Sequence, residues 1–247
     1  MNAIIFAAHP DDMEISCGGT VSRMVDAGKS VGLVLLTDGG LGCVDKEGIV
    51  CWQQREKETF AACELLKVCV LSEGLAEERD FFLPSQERCF DIAKVIREHQ
   101  PEIIITHDPS DGHSHHTRTF ELVRNALSIA VTDVAVKDQT TRELESLPRV
   151  LLMGGLSCSK FIPHFYIDVT GVHWKKMLAL EKHKSQIRTY RDRCLSLPSM
   201  VATMDQFMGM KCGVHFAEGF RFFNQLSGTI RTVDPISLFL SGELSCE

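Results

Sequence analysis

Two short segments hold most of the side chains that could do chemistry. The first, His9-Pro10-Asp11-Asp12-Met13-Glu14, sets an imidazole beside two consecutive carboxylates. Crowded anions repel and desolvate one another for no folding gain unless a cation compensates. The alternative is that Asp11 and Asp12 only cap a following helix, whose free amides and dipole favour negative charge. The second segment, His107-Asp108-Pro109-Ser110-Asp111-Gly112-His113-Ser114-His115-His116, carries four of the chain's ten histidines. A lone histidine is usually a packed or surface residue, but so dense a histidine loop points to metal ligation.

The elements around these segments alternate. Short, nearly all-apolar runs at Ala3–Ala7, Val31–Leu36, Val68–Leu71, Ile103–Thr106 and Val150–Met153 predict parallel strands buried on both faces. Amphipathic stretches at Ser16–Ala27, Gln53–Leu66, Ser85–His99 and Thr119–Val136 predict the crossover helices between them. The fold class expected is α/β, with a Rossmann-like open, mostly parallel sheet, helices on both faces and a C-terminal extension. Residues 1–247 read as one domain: 1–155 form the Rossmann-like part and 156–247 a cap or oligomer-forming arm. That arm is expected to hold a strand at Phe165–Val169, one helix at Val172–Gln186, and methionines 200, 204, 208 and 210 as core filling. In strand order 3-2-1-4-5, the first and fourth strands are neighbours at the switch point, where ligands bind beyond their carboxyl ends. Both segments follow those two strands, so they face one crevice, and the helix-cap alternative for the aspartates loses most of its force.

Composition removes other classes. The 247 residues carry 26 Lys+Arg against 33 Asp+Glu, a net charge of −7 that argues against nucleic acid or an anionic membrane as partner. No apolar run approaches the roughly 20 residues that span a bilayer. The ten cysteines include no CxxC pair, and Cys63 and Cys69 read as small buried hydrophobes. Met1 runs straight into the first strand with no room for a signal peptide, which makes the cytoplasm the expected compartment. Gly18-Gly19 lacks the GxGxxG spacing of a dinucleotide site and reads as a close-packing device.

His9-Pro10-Asp11-Asp12, then Cys17-Gly18-Gly19-Thr20, with Asp111-x-His113-x-x-His116 downstream, resembles the zinc-dependent N-acetylglucosaminyl deacetylases. That superfamily includes deacetylases of the bacillithiol, mycothiol and glycosylphosphatidylinositol pathways and of diacetylchitobiose. Arg55-x-x-Glu58, His183-x-Ser185-Gln186 and Ala217-Glu218-Gly219-Phe220 extend the resemblance toward the C-terminus. It implies that His9, Asp12 and His116 bind zinc, leaving positions open for water and substrate. Iron, cobalt or manganese also suit such a donor set. The resemblance further implies that Asp11 is the general base, that protonated His113 stabilises the oxyanion, and that Arg55 orients sugar hydroxyls.

One position departs from the family pattern. The family usually reads His-Pro-Asp-His, and Ser114 and His115 stand in the middle here. The missing aspartate normally orients the oxyanion histidine, so Asp108, Asp111 and His115 are the candidates to support His113 in its place. The loop at 37–51, with Asp38 and Asp45, and Asp80 are expected to border the pocket. The reaction implied is removal of an acetyl group from a GlcNAc-containing small molecule, releasing acetate and a free amino sugar, with a homo-oligomer a further expectation. Two rivals stand beside it: an amidase acting on a larger N-acyl amino-sugar conjugate, and a metal- or carbohydrate-binding protein without catalysis.

Overall fold

The computed structural model describes residues 1–42, 52–73, 75, 85–132 and 142–223. In chain order its elements are β1 (Ala3–Ala7), α1 (Asp12–Asp26), β2 (Val31–Leu35), α2 (Trp52–Leu66), β3 (Cys69–Glu73), α3 (Gln86–His99), β4 (Ile103–His107), α4 (Ser114–Ala130) and β5 (Arg149–Met153). They continue with β6 (Phe165–Asp168), α5 (His173–Leu180), α6 (Lys184–Asp192), α7 (Leu197–Cys212) and β7 (Ala217–Phe223). One seven-stranded sheet runs β3-β2-β1-β4-β5-β7-β6. Its first five strands are parallel, and β7 lies antiparallel between β5 and β6. The α/β class and the 3-2-1-4-5 order are as expected, and Ala3 pairs with Ile103 across β1 and β4.

Because every β1 and β4 residue is buried, alternate side chains feed two cores. Ile5, Leu33 and Ile105 pack under Val21 and Met24 of α1 and Cys63 of α2. Ile4, Val34 and Ile104 pack under Ile92 and Ile96 of α3 and Val123 and Leu127 of α4. Residues past 156 add β6 and β7 to the sheet itself, while α5 packs on α1 and α2.

Several expected boundaries move, each for a physical reason. The helix expected over 172–186 is two helices, broken before His183, whose buried ring turns toward Glu14. α4 begins at Ser114, five residues earlier than its apolar period suggests, because His113 caps it with its own ring nitrogen. Cys69 is exposed, correcting its reading as a buried hydrophobe: it opens β3, the edge strand. Cys17, Cys63, Cys89 and Cys158 are buried.

α1 carries the fold's most constrained contact. Its backbone leaves helical geometry at Cys17 (φ −147°, ψ 15°), so the residues after it start a second helical segment with free amides. Glu218 of β7 caps that segment, accepting from Gly19 N at 2.9 Å and Thr20 N at 2.7 Å. Lys176 of α5, fully buried, ties Glu218 Oε1 (2.8 Å) to Asp205 Oδ2 (2.7 Å) of α7. Burial disfavours its charge, but the two carboxylates prevail and push its pKa up. The glycine pair makes room for this: a Cβ at Gly18 would sit 3.1 Å from Lys176 Cγ, and one at Gly19 2.7 Å from Val169 Cβ.

Replacing Lys176 by Met leaves buried Glu218 without its counter-ion and Asp205 with His173 alone at 3.1 Å, a loss of about 3–5 kcal/mol. Lys175→Met removes the solvent-facing pair with Asp26 and the exposed approach of its ammonium to the Trp174 ring and costs about 1 kcal/mol or less. Urea unfolding of the two variants side by side reads this contrast directly.

Candidate metal centre

The turn from β1 into α1 is built around a strained aspartate. Asp11 has φ 96°, in the left-handed region, a conformation that costs a non-glycine residue about 1–3 kcal/mol and persists only where the surroundings enforce it. The enforcing contacts are visible. Asp12 Oδ2 accepts from His9 N at 2.7 Å, closing the turn from within. From α2, the buried Arg55 guanidinium donates to Pro10 O, to Gly39 O at 3.3 Å and to Gln186 Oε1 at 3.0 Å. It also pairs with Asp11 Oδ1 at 3.3 Å. Arg55 thus fixes the turn and its carboxylate.

The turn from β4 into α4 supplies the facing wall. His116, on the first turn of α4, places Nε2 3.3 Å from Asp12 Oδ1. Its Nδ1 lies 3.0 Å from Asp111 Oδ2, and Asp111 Oδ1 in turn accepts from Ser157 Oγ (2.6 Å) and His113 N (2.9 Å). A carboxylate holding Nδ1–H orients the ring and leaves the Nε2 lone pair for a ligand, the usual arrangement behind a metal-binding histidine. His107 closes the floor, stacked on His116 with centroids 4.0 Å apart and accepting from Ala8 N at 3.1 Å.

His9, Asp12 and His116 each bring one ligand atom within 4.8 Å of the others. Two imidazoles and a carboxylate suit zinc and leave room for further ligands. The electrostatics agree. Burial works against charge on Asp12, yet His116 and His107 beside it hold its carboxyl well below the usual range. Burial likewise opposes charge on His116, but Asp12 and Asp111 outweigh it and raise the ring to about 10. A place that holds a proton so firmly is one where a cation is favoured.

Asp11 differs from its neighbour. Burial pushes its pKa up to about 6 and the adjacent Asp12 adds to this, against the opposing pull of Arg55. Its Oδ2 is buried and has no hydrogen-bond partner among the described residues, and Asp11 lines the space where the ligand set converges. That space is a cleft of about 180 Å³ bordered by Asp11, Asp12, Arg55, His113, His116 and Tyr190. A larger hollow of about 450 Å³ between α3 and α4 has Arg118 and Glu121, paired with each other at the surface, as its charged lining residues and, among the described residues, no cluster of metal-ligand types, so the chemistry selects the smaller cleft.

The residues singled out in sequence are placed as follows. His113 opens to the cleft, with its Nδ1 accepting from His115 N at 3.3 Å. Partial desolvation and the neighbouring imidazoles, His116 first, lower it to about 4. Asp108 is bound by Arg221 at 3.1 Å and by Ser110, and Asp111 serves His116, so neither carboxylate holds the His113 ring. His115 is buried with its Nδ1 2.8 Å from His9 Nε2. Asp80 and residues 43–51 lie outside the described residues. Sequence reasoning gave no role to His107, whose signal was a polar residue ending an apolar strand. It also missed the partners Glu14–His183 (3.4 Å) and Glu58–Ser185 N (3.0 Å), contacts between distant elements with no local pattern.

Comparison with known proteins adds independent support. Residues 4–127 match the family described as PIG-L, GlcNAc-PI de-N-acetylase. A diacetylchitobiose deacetylase from Thermococcus kodakarensis is 30% identical over 223 residues, 87% of this chain and 80% of the relative. A 1D-myo-inositol 2-acetamido-2-deoxy-alpha-D-glucopyranoside deacetylase from Kineococcus radiotolerans is 30% identical over 162 residues, 51% of this chain and 44% of its own. Among solved structures, N,N'-diacetylchitobiose deacetylase from Pyrococcus horikoshii superposes with a TM-score of 0.79 at 26% identity, covering 94% of this chain and 86% of that one.

If Asp111 orients a metal-binding His116, Asp111→Asn weakens divalent-metal affinity by about 10- to 100-fold. Competition of the variant and the parent chain against a chelating dye measures the ratio, and equal affinities would remove Asp111 from that role.

Proposed function

Since the chain belongs to the GlcNAc-PI de-N-acetylase family, we propose that it hydrolyses the N-acetyl group of a GlcNAc-containing small molecule at this cleft, releasing acetate and a free amino sugar. His9, Asp12 and His116 hold the metal, and zinc is the ion their donor types suit best. When bound, it supplies Lewis-acid polarisation of the acetyl oxygen and of water. The observation that carries the reading is Asp11 Oδ2: a buried carboxylate oxygen without a partner among the described residues, one residue from the ligand set and raised toward neutrality.

The chain's own groups divide the work. Asp11 takes the proton of the attacking water on Oδ2, while Arg55 pins Oδ1 so that the free oxygen keeps its aim. As the C–N bond breaks, the same carboxyl gives that proton to the departing nitrogen so that it leaves as a neutral amine, which makes a pKa near 6 useful in both directions. His113 has its Nδ1 occupied as an acceptor, so a neutral ring carries its proton on Nε2 and offers that N–H to the developing oxyanion. Hydrogen-bond donation by a neutral imidazole replaces the imidazolium that the family pattern implies. This answers the loss of the family aspartate at His115: no carboxylate is needed to keep His113 charged.

The substrate is a small amino sugar, and no helix among the described residues is long and apolar enough to cross a membrane.

Asp11→Asn keeps the side chain's size and its contact to Arg55 while removing the base. Acetate release from N,N'-diacetylchitobiose and from an N-acetylglucosaminyl inositol falls by about 10²- to 10⁴-fold in this variant, with zinc content by elemental analysis unchanged. Retained acetate release overturns the assignment of the base. Cleavage of bulky N-acyl glucosamines in preference to the N-acetyl compounds would identify an amidase instead.

A further inference from the structure

The replacement at His115 creates a second donor set beside the first. The rings of His9, His113 and His115 stand at the corners of a nearly equilateral triangle, with centroids 4.9 Å apart for His9–His113, 5.0 Å for His9–His115 and 5.2 Å for His113–His115. One nitrogen from each lies within 4.8 Å of the other two. His9 belongs to both sets through opposite edges of its ring: Nδ1 is 3.4 Å from Asp12 Oδ2, and Nε2 is 2.8 Å from His115 Nδ1. His113 uses Nδ1 as an acceptor on the first turn of α4, so Nε2, the nitrogen left for an ion, carries the ring proton and must give it up to ligate.

We infer that a second divalent transition-metal ion, of the zinc type, binds His9, His113 and His115 when metal is in excess and inhibits the enzyme. Three imidazoles are a sufficient protein donor set for zinc. In a tetrahedral site with Zn–N near 2.0–2.1 Å, ligand nitrogens lie about 3.3 Å apart, so the His9–His115 pair opens slightly and His113 closes in by side-chain rotation. The His9 Nε2···His115 Nδ1 hydrogen bond holds one proton between two lone pairs. Binding displaces that proton to solvent, which makes His9 an imidazolate shared between the two ions, and the His113 ring proton passes through solvent from Nε2 to Nδ1, releasing the cap from His115 N; each of the three rings then gives a lone pair to the ion. Exposed His113 provides the entrance from the cleft, and buried His9 and His115 provide the back wall.

Inhibition follows from what the ion removes. His113 Nε2 can no longer donate to the oxyanion, and the ion occupies the cleft beside Asp11. The inference rests on the metal centre proposed above, because the two sets share His9. It is nevertheless separable, since Asp12 and His116 belong to the first set alone and His113 and His115 to the second alone.

The test is titration of the metal-stripped full chain with zinc by calorimetry and with cobalt by visible absorption, with acetate release followed in parallel. The parent chain takes up two ions in succession, and activity rises with the first and falls with the second. In His115→Asn, which keeps an acceptor for His9 but no imidazole, the second uptake weakens by about tenfold or more, and the inhibition by excess zinc goes with it. His113→Ala, at an exposed position, loses the same second uptake, and Asp12→Ala loses the first uptake while keeping an imidazole-dependent one. A parent chain that binds one ion, lost in Asp12→Ala, overturns the second site and leaves the catalytic centre standing. Two ions bound equally by the parent and His115→Asn also overturn it. No ion bound by the parent overturns the centre and this inference together.

Discussion

The structure turns on keeping the Asp12 carboxylate ionised while it is buried. Little water reaches it, so the charge is met by what surrounds it: His9 N donates at 2.7 Å, and His116 Nε2 and His107 Nε2 each stand 3.3 Å away. Those groups come from three places, the β1 turn, the end of β4 and the first turn of α4. Only a sheet with β1 beside β4 can bring them together. The parallel order is thus more than a scaffold, since it delivers the His116 ring and polar partners from three segments to one desolvated anion.

Around that anion lies a set of buried ionic and polar contacts that join the C-terminal elements to α1 and α2, beside the two turns that border the cleft. Lys176 with Glu218 and Asp205, His183 with Glu14, Ser185 with Glu58 and Gln186 with Arg55 all cross from residues past 170 to α1 and α2, or brace those that do. Such pairs add little net stability, because desolvation offsets their attraction. What they supply is position. Each demands one geometry, and together they hold the segment after the Cys17 break, and hence the turn before it, in a single place.

Much of this was legible from residue types alone. Strands buried on both faces read as apolar runs, so β1, β2, β4 and β5 stood out, and their order followed from the crossover rule. The crevice shared by His9, Asp12 and His116 then followed from topology. The start of α4 was not legible, because Ser114, His115 and His116 carry no apolar period. The support for His113 was misplaced for a related reason: proximity in sequence suggested Asp108 or Asp111, whereas Asp108 turns to Arg221 and Asp111 to His116. Contacts such as Glu14–His183 depend on two side chains meeting across distant elements, and nothing local announces them.

The position of β7 between β5 and β6 has a temporal meaning. β6 leaves the chain first but has no partner in the sheet until β7 arrives, so it cannot dock in the order of synthesis. Glu218, which caps the interrupted helix α1, arrives on that same late strand. Domains fold from the N-terminal side as they are made, and contacts between distant residues form slowly. A nascent chain can therefore form the parallel half-sheet early while the second segment of α1 waits uncapped. The turn bearing His9, Asp11 and Asp12 is thus locked last, when β7 slots into place.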